Sequence, residues 1–262
     1  HKIVTLINSF HGRTIATLTA TGQEEMHRDF NPLLPGFLYT PANDCEALKA
    51  LVAEHDDIAA IMFELVQGEG GVMPLERAFV DCMAELAAEK DILLVCDEVQ
   101  TGNGRTGSLY AWQQYGFTPD IMSTAKGLGG GLPIGACLFG EKTENTLTPG
   151  THGSTFGGSP AVCAGALSIL GRIDEALLAQ VRAKSEYLFS AFEGKPGIEQ
   201  VSGLGLMIGL KTAKPAAEVV AKCMEQGVLV LTAHGKVRLL PALNIPMELV
   251  KKAAEVIIAA CA

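Results

Sequence analysis

Two stretches of this chain, "IAAIMFEL" at 58–65 and "ILLVCDE" at 92–98, are apolar almost without a break over the length of one strand. A strand with one wet face alternates apolar and polar residues. One covered on both faces does not. Between the two lies "LERAFVDCMAELAAEKD" (75–91), whose apolar residues recur at helical intervals. Strand, helix and strand in that order predict a crossover unit, and hence a parallel sheet buried on both faces. "KIVTLIN" (2–8), "DIMSTA" (120–125) and "GACLFG" (135–140) read as further strands. "DCEALKALVAEH" (44–55) reads as a helix with Asn43 or Asp44 as its N-cap. Two long helical patterns follow, "SPAVCAGALSILGRI" and "EALLAQVRAKSEYLFSAF". After "GKPG" the texture changes. Short strands ("IEQVSGLGLMIGLKT", "VLVLTAH", "KVRLLPAL") mix with the helices "AAEVVAKCMEQG" and "MELVKKAAEVIIAACA". The expected organisation is a large α/β domain over 1–174 and a small α+β domain over 175–262.

The net charge of −9 and the absence of any Lys/Arg-rich run argue against nucleic-acid binding. No apolar run reaches the roughly 18 residues that a membrane span needs, and the opening "HKIVTLINSF" lacks a signal-peptide pattern. The seven cysteines (Cys45, Cys82, Cys96, Cys137, Cys163, Cys223, Cys261) are scattered and include no CxxC. They are expected to be reduced thiols in a cytoplasmic protein. The six histidines show no metal-ligand spacing, so no metal is expected.

Ligands of open α/β sheets sit at the carboxyl ends of the strands, and chemically suggestive residues collect there. Phe10, His11 and Arg13 follow the first strand, and Glu64 and "QGEGG" follow "IAAIMF". Asp97, Glu98 and Gln100 follow "ILLVC", and Lys126 follows "DIMSTA" with five glycines behind it. A lysine at the end of a buried strand bears a desolvation cost, which asks what lies against it. An acid after an apolar strand is more often a loop cap than a catalyst, but a lysine and an aspartate together suit pyridoxal phosphate. That cofactor bonds to a lysine amine and needs an acidic partner for its ring nitrogen.

"SFHGRT", "QGEGG", "DEVQTGNGRTG", "STAKGLGGGLPIGA" and "HGSTFGGSP" occur in this order and spacing. The chain thereby resembles the class III (omega-amino acid) aminotransferases. Within them "KVRLLPALNI" and the compact small domain are most like the acetylornithine branch. The resemblance implies fold type I of the pyridoxal-phosphate enzymes, with a mainly parallel sheet and a small C-terminal domain. It implies transfer of an omega-amino group to 2-oxoglutarate by a homodimer with shared sites. Ornithine, succinylornithine or 4-aminobutyrate as donor, or an aminomutase reaction, are its alternatives. A dimerising fragment without activity is the non-enzymatic one.

Residue by residue, Lys126 matches the lysine that carries the cofactor, and Asp97 the partner of the pyridine nitrogen. Gln100 matches the partner of the ring hydroxyl, and Phe10 and Val99 the two residues that flank the ring. Ser154 and Thr155 match the residues that reach the phosphate in the neighbouring subunit. Arg13 and Arg238 match two carboxylate-binding arginines, and Glu69 the gate that pairs with the second. Arg105 is expected to fix its loop through a salt bridge, and His11 and His152 to make structural hydrogen bonds. Glu64 and Glu98 are expected to be structural. Family members carry an additional N-terminal region with a Ser-Gly turn for the cofactor phosphate. That region precedes the position matching His1, so the chain is expected to be the remaining two-thirds.

Overall fold

A computed structural model describes all 262 residues, His1–Ala262. In chain order the strands are β1 Lys2–Leu6, β2 Phe37–Thr40, β3 Ile58–Phe63, β4 Val66–Gln67, β5 Met73–Pro74, β6 Leu93–Asp97, β7 Ile121–Thr124, β8 Ala136–Phe139, β9 Ile198–Leu204, β10 Met207–Thr212, β11 Leu231–Ala233 and β12 Lys236–Leu239. The α-helices are α1 Ile15–Ala20, α2 Glu24–His27, α3 Cys45–Glu54, α4 Arg77–Lys90, α5 Trp112–Tyr115, α6 Pro160–Leu170, α7 Glu175–Phe192, α8 Ala216–Glu225 and α9 Met247–Cys261. The chain divides into two compact units. The first comprises His1–Leu65, Leu75–Asn103 and Ala111–Arg172. The second comprises Val66–Pro74, Gly104–Tyr110 and Ile173–Ala262. Segments 66–74 and 104–110 thus leave the first unit's run of sequence and pack into the second.

In the first unit the sheet runs β2-β1-β3-β6-β7-β8. Its first five strands are mutually parallel. The expectation of a parallel sheet covered on both faces fails at β8, which is antiparallel to β7 and exposed along its whole length. Only residues 125–135 separate the two strands. A parallel return takes a crossover of about a dozen residues or more, usually a helix. A glycine-rich loop without an α-helix turns straight back instead.

Helix α3 begins where the Asp44 carboxylate accepts the Ala47 N–H at 2.9 Å, which satisfies one of its free amide donors. It buries Leu48 and Val52. Helix α4 buries Phe79, Val80, Met83, Leu86 and Ala87, a stripe at helical spacing, and ends at Asp91 in the left-handed region. The two helices are joined by a disulfide between Cys45 and Cys82. The expectation of seven reduced thiols is corrected on this point, and five remain free. The pairing is illegible in sequence because the residues lie 37 apart and meet only when α3 and α4 pack together. A crosslink of that span stabilises by about 3–4 kcal/mol in the chain-entropy picture.

In the second unit an antiparallel sheet runs β11-β12-β10-β9. One face buries Ile208, Leu210, Val237 and Leu239 together with Val181, Leu188 and Phe192 of α7, Val219 and Cys223 of α8, and Val250, Ala254 and Ile257 of α9. Met207 packs with Val66 and Val72 of the β4–β5 hairpin, so side chains of alternating parity meet that hairpin. Gly209, between Ile208 and Leu210, permits the approach. A Cβ there would lie 2.9 Å from the Val72 Cβ and 3.1 Å from the Gly71 carbonyl oxygen. No helix of the chain is long and apolar enough to cross a membrane.

Candidate active site

In the first unit, strands β6 and β7 are adjacent and parallel, with Asp97 opposite Ser123. Their carboxyl ends place Asp97 on one strand beside the turn that starts at Lys126 on the other. Asp97 is 5% exposed and three donors hold its carboxylate. His11 Nδ1 lies 2.8 Å from Oδ2, Ser123 Oγ donates to Oδ1 at 3.0 Å, and the Val99 N–H donates to Oδ1 at 3.1 Å. A carboxylate offers about four acceptor positions, so one remains for a further N–H. A buried carboxyl group held by three donors, with one lone pair to spare, suits a protonated ring nitrogen.

His11 makes a structural hydrogen bond, as expected, and its partner is Asp97. Its side chain is fully buried, and Nδ1–H donates to Asp97 while Nε2 has no partner. Sequence reasoning missed that partner because 86 residues separate the two. The Phe10 N–H donates to the Glu64 carboxylate at 2.8 Å, which ties the chain after β1 to the end of β3. Glu98 is fully buried. It accepts from Thr101 Oγ1 and from the Trp112 N–H, at 2.5 and 2.8 Å, and burial pushes its pKa up.

Lys126 opens a 3-10 turn, Lys126–Gly129, with φ at 47°. Non-glycine residues avoid that left-handed region at a cost of order 1 kcal/mol. Asn103, also left-handed, donates from Nδ2 to Thr124 Oγ1 and to the Ala125 carbonyl, both at 3.1 Å. It pins the strand end from which Lys126 departs. Asn103 was not singled out in the sequence, where it looks like one more polar residue of "TGNGRTG". The expected desolvation of Lys126 is corrected: the residue is exposed. It leaves β7 through the turn, so its charge is not sunk in the sheet.

Val99 and Gln100 are half-buried, and Gln100 Oε1 has no hydrogen-bond partner although it is buried. An orphaned acceptor fits a ring hydroxyl donor. The residues at the strand ends therefore fit the ring of pyridoxal phosphate. Arg13 is exposed, with its guanidinium carbon 5.4 Å from the centre of the Phe10 ring. Ser154 and Thr155 are exposed. The Ser154 hydroxyl is engaged locally with the Gly157 N–H at 3.0 Å. The chain does not bring these two to Asp97 or Lys126 through any hydrogen bond.

A separate cluster lies in the second unit. Arg238, in β12, is 8% exposed, and its Nη1 donates to Glu69 Oε1 of the β4–β5 hairpin at 2.7 Å. Its Nε is buried without a partner. Burial and pairing set Arg238 apart from a lone surface charge. Arg105, expected in a salt bridge, makes none. It donates to the carbonyls of Leu206 and Pro241, at 3.1 and 2.6 Å. No group of three or more His, Cys, Asp or Glu side chains is placed to hold a metal ion.

Comparison with known proteins bears on both clusters. The Aminotransferase class-III family matches residues 1–261. A curated relative, acetylornithine aminotransferase of Haemophilus ducreyi, is 48% identical over 257 residues. The match covers 97% of this chain and 65% of the relative, so the chain spans just under two thirds of that protein's length. Among solved structures, N-acetylornithine aminotransferase from Stenotrophomonas maltophilia K279a is 34% identical with a TM-score of 0.82, covering 99% of this chain and 65% of that one. An ornithine aminotransferase from Toxoplasma gondii, whose structure has partial occupancy of PLP at its active site, is 32% identical. It superposes with a TM-score of 0.92 over 99% of this chain and 64% of that chain.

Proposed function

Because the chain belongs to the class-III aminotransferase family, we propose that the full-length protein is a pyridoxal-phosphate transaminase. It moves the omega-amino group of N-acetylornithine to 2-oxoglutarate, giving N-acetylglutamate 5-semialdehyde and glutamate. The names of the similar curated proteins support the donor. The observation that carries the two-substrate reading is the ion pair of Glu69 with the nearly buried Arg238. An aminomutase has no second substrate that would need such a gate.

When bound, pyridoxal 5'-phosphate supplies the electron sink for amino-group transfer. Asp97, fixed by His11, Ser123 and the Val99 amide, holds a proton on the ring nitrogen by charge. Phe10 and Val99 would flank the ring, and Gln100 Oε1 would accept from its hydroxyl. Lys126 Nζ would hold the cofactor, and its amine, when free, would serve as the base and acid that moves the substrate's proton. Arg13 binds the donor's carboxylate. Glu69 occupies Arg238 until a dicarboxylate arrives, and one carboxylate then replaces another on the same guanidinium, so the exchange leaves no buried charge unpaired.

Arg238→Ala is expected to lower kcat/KM for glutamate and 2-oxoglutarate about a hundredfold and that for the omega-amine donor by less than about threefold. Glu69→Ala is expected to favour the glutamate half-reaction over the omega-amine one. Stopped-flow measurement of each half-reaction checks both. Equal losses for the two donors in Arg238→Ala would remove the gate.

The working unit is proposed to be a twofold homodimer, the commonest closed assembly. Ser154 and Thr155 of one chain would serve the phosphate in its partner. The support is their exposure, together with that of Phe156 at 87%. Mixing a Lys126→Ala protein with a Thr155→Ala protein should then restore part of the activity, because one of the two hybrid sites carries no lesion. No recovery in the mixed population would place Thr155 in its own subunit's chemistry or in none.

A further inference from the structure

Lys184 and Arg105, two cations of the second unit, have no carboxylate partner. Lys184, in α7, is 3% exposed, and its ammonium donates to the Leu243 carbonyl at 2.7 Å. Burial lowers its pKa. Arg105 donates from Nη1 to the carbonyls of Leu206 and Pro241, and burial brings its pKa down to about 10. A buried cation without an anion is costly, so the use made of these two is informative. Both act on the residues just after β12. That strand is laddered on both sides as far as Arg238, and Leu239 pairs on one side only, with Ile208. Pro241 and Leu243 follow it as irregular chain. Arg105 is itself anchored, since its own carbonyl accepts the Leu206 N–H at 2.9 Å. The β9–β10 turn sits directly on it: Gly205 has φ at 60°, and a Cβ there would lie 2.4 Å from the Thr106 Cα.

We propose that Arg105 and Lys184 are positioning residues for Arg238. They grip the strand exit beyond it so that its guanidinium stays aimed when Glu69 leaves. The proposal rests on the reading of Arg238 as the acceptor's carboxylate site. The side chain of Arg238 is held at Nη1 by Glu69, and its buried Nε has no partner. Once the gate opens, the backbone alone sets the side chain's direction until the acceptor binds. A misplacement of about 1 Å is enough to cost orders of magnitude.

The experiment uses the cofactor-loaded full-length protein and the variants Lys184→Met, Lys184→Arg, Arg105→Gln and Arg238→Ala. KM and kcat are read separately for 2-oxoglutarate and for the omega-amine donor, alongside the melting temperature. Lys184→Met removes a desolvated charge while keeping the side chain's length, so its melting temperature should hold or rise. Its KM for 2-oxoglutarate should rise about tenfold with little change in kcat or in the donor's KM. Lys184→Arg should restore most of the loss, and Arg105→Gln should repeat the selectivity. A merely structural lysine would lower the melting temperature and both substrates' parameters together. If Arg238→Ala is selective for 2-oxoglutarate and Lys184→Met is not, the positioning role is overturned alone. If Arg238→Ala is itself unselective, the reading of Arg238 and this proposal fall together.

Discussion

Lys126→Ala is expected to abolish transamination, by a thousandfold or more on the scale of lost covalent and acid–base catalysis (~10³), while the melting temperature stays within a few degrees. The two halves of this expectation come from one structural fact. Lys126 is exposed and left-handed at the start of a 3-10 turn. Its side chain fills no core, so truncation opens no cavity, and alanine inherits the same backbone cost. Lys126→Gly should be no less stable than the wild type, since glycine adopts that conformation freely. Arginine cannot rescue activity, because its guanidinium does not bond to a carbonyl carbon as an amine does and stays protonated. Activity assays with thermal melts check the set. Turnover above a few per cent in Lys126→Ala would move the catalytic amine elsewhere.

Asp97→Asn should keep the cofactor and slow the donor half-reaction by about two to three orders of magnitude. The amide fits the site without collapse. Its oxygen still accepts from Ser123 Oγ and the Val99 N–H, the two donors now on Oδ1. Its NH₂ then faces His11 Nδ1, which can switch tautomer and accept, because Nε2 has no other partner to lose. The same NH₂ would face the ring nitrogen as a donor, so a ring bound there would no longer hold its proton. The variant therefore keeps shape and loses charge. Single-turnover kinetics with the omega-amine donor measures the effect, and a near-normal rate would make Asp97 a structural cap. His11→Ala should show a weaker form of the same loss, since it removes one of the carboxylate's three donors.

Much of this was legible in sequence, because the rule behind it is local. Continuous apolar runs mark strands covered on both faces, and their carboxyl ends mark where chemistry collects. That located Asp97 and Lys126 from β6 and β7, and the five ordered motifs named their counterparts. What sequence left out depends on contacts between distant segments. The roles of His11 and Asn103 arise only when β1 and the loop after β6 close on the strand ends. Cys45 and Cys82 look like two ordinary buried thiols until α3 packs on α4. Strand β2 escaped notice because Phe37–Thr40 is four residues long at the sheet's edge. Strand β8 has the composition of an inner strand, but its direction is set by the short loop before it. Arg105 looked like a salt-bridging loop residue, and only the fold shows that its partners are carbonyls more than a hundred residues away.

Covalent capture of the cofactor on one lysine tests the central claim most directly. The full-length protein, loaded with pyridoxal 5'-phosphate, should show a visible absorption band that disappears on borohydride reduction. Peptide mapping should then find the fixed cofactor on Lys126, within "STAKGLGGG", and on no other lysine. A protein with no visible band, or with the reduced cofactor on any other residue, would contradict the assignment of this site.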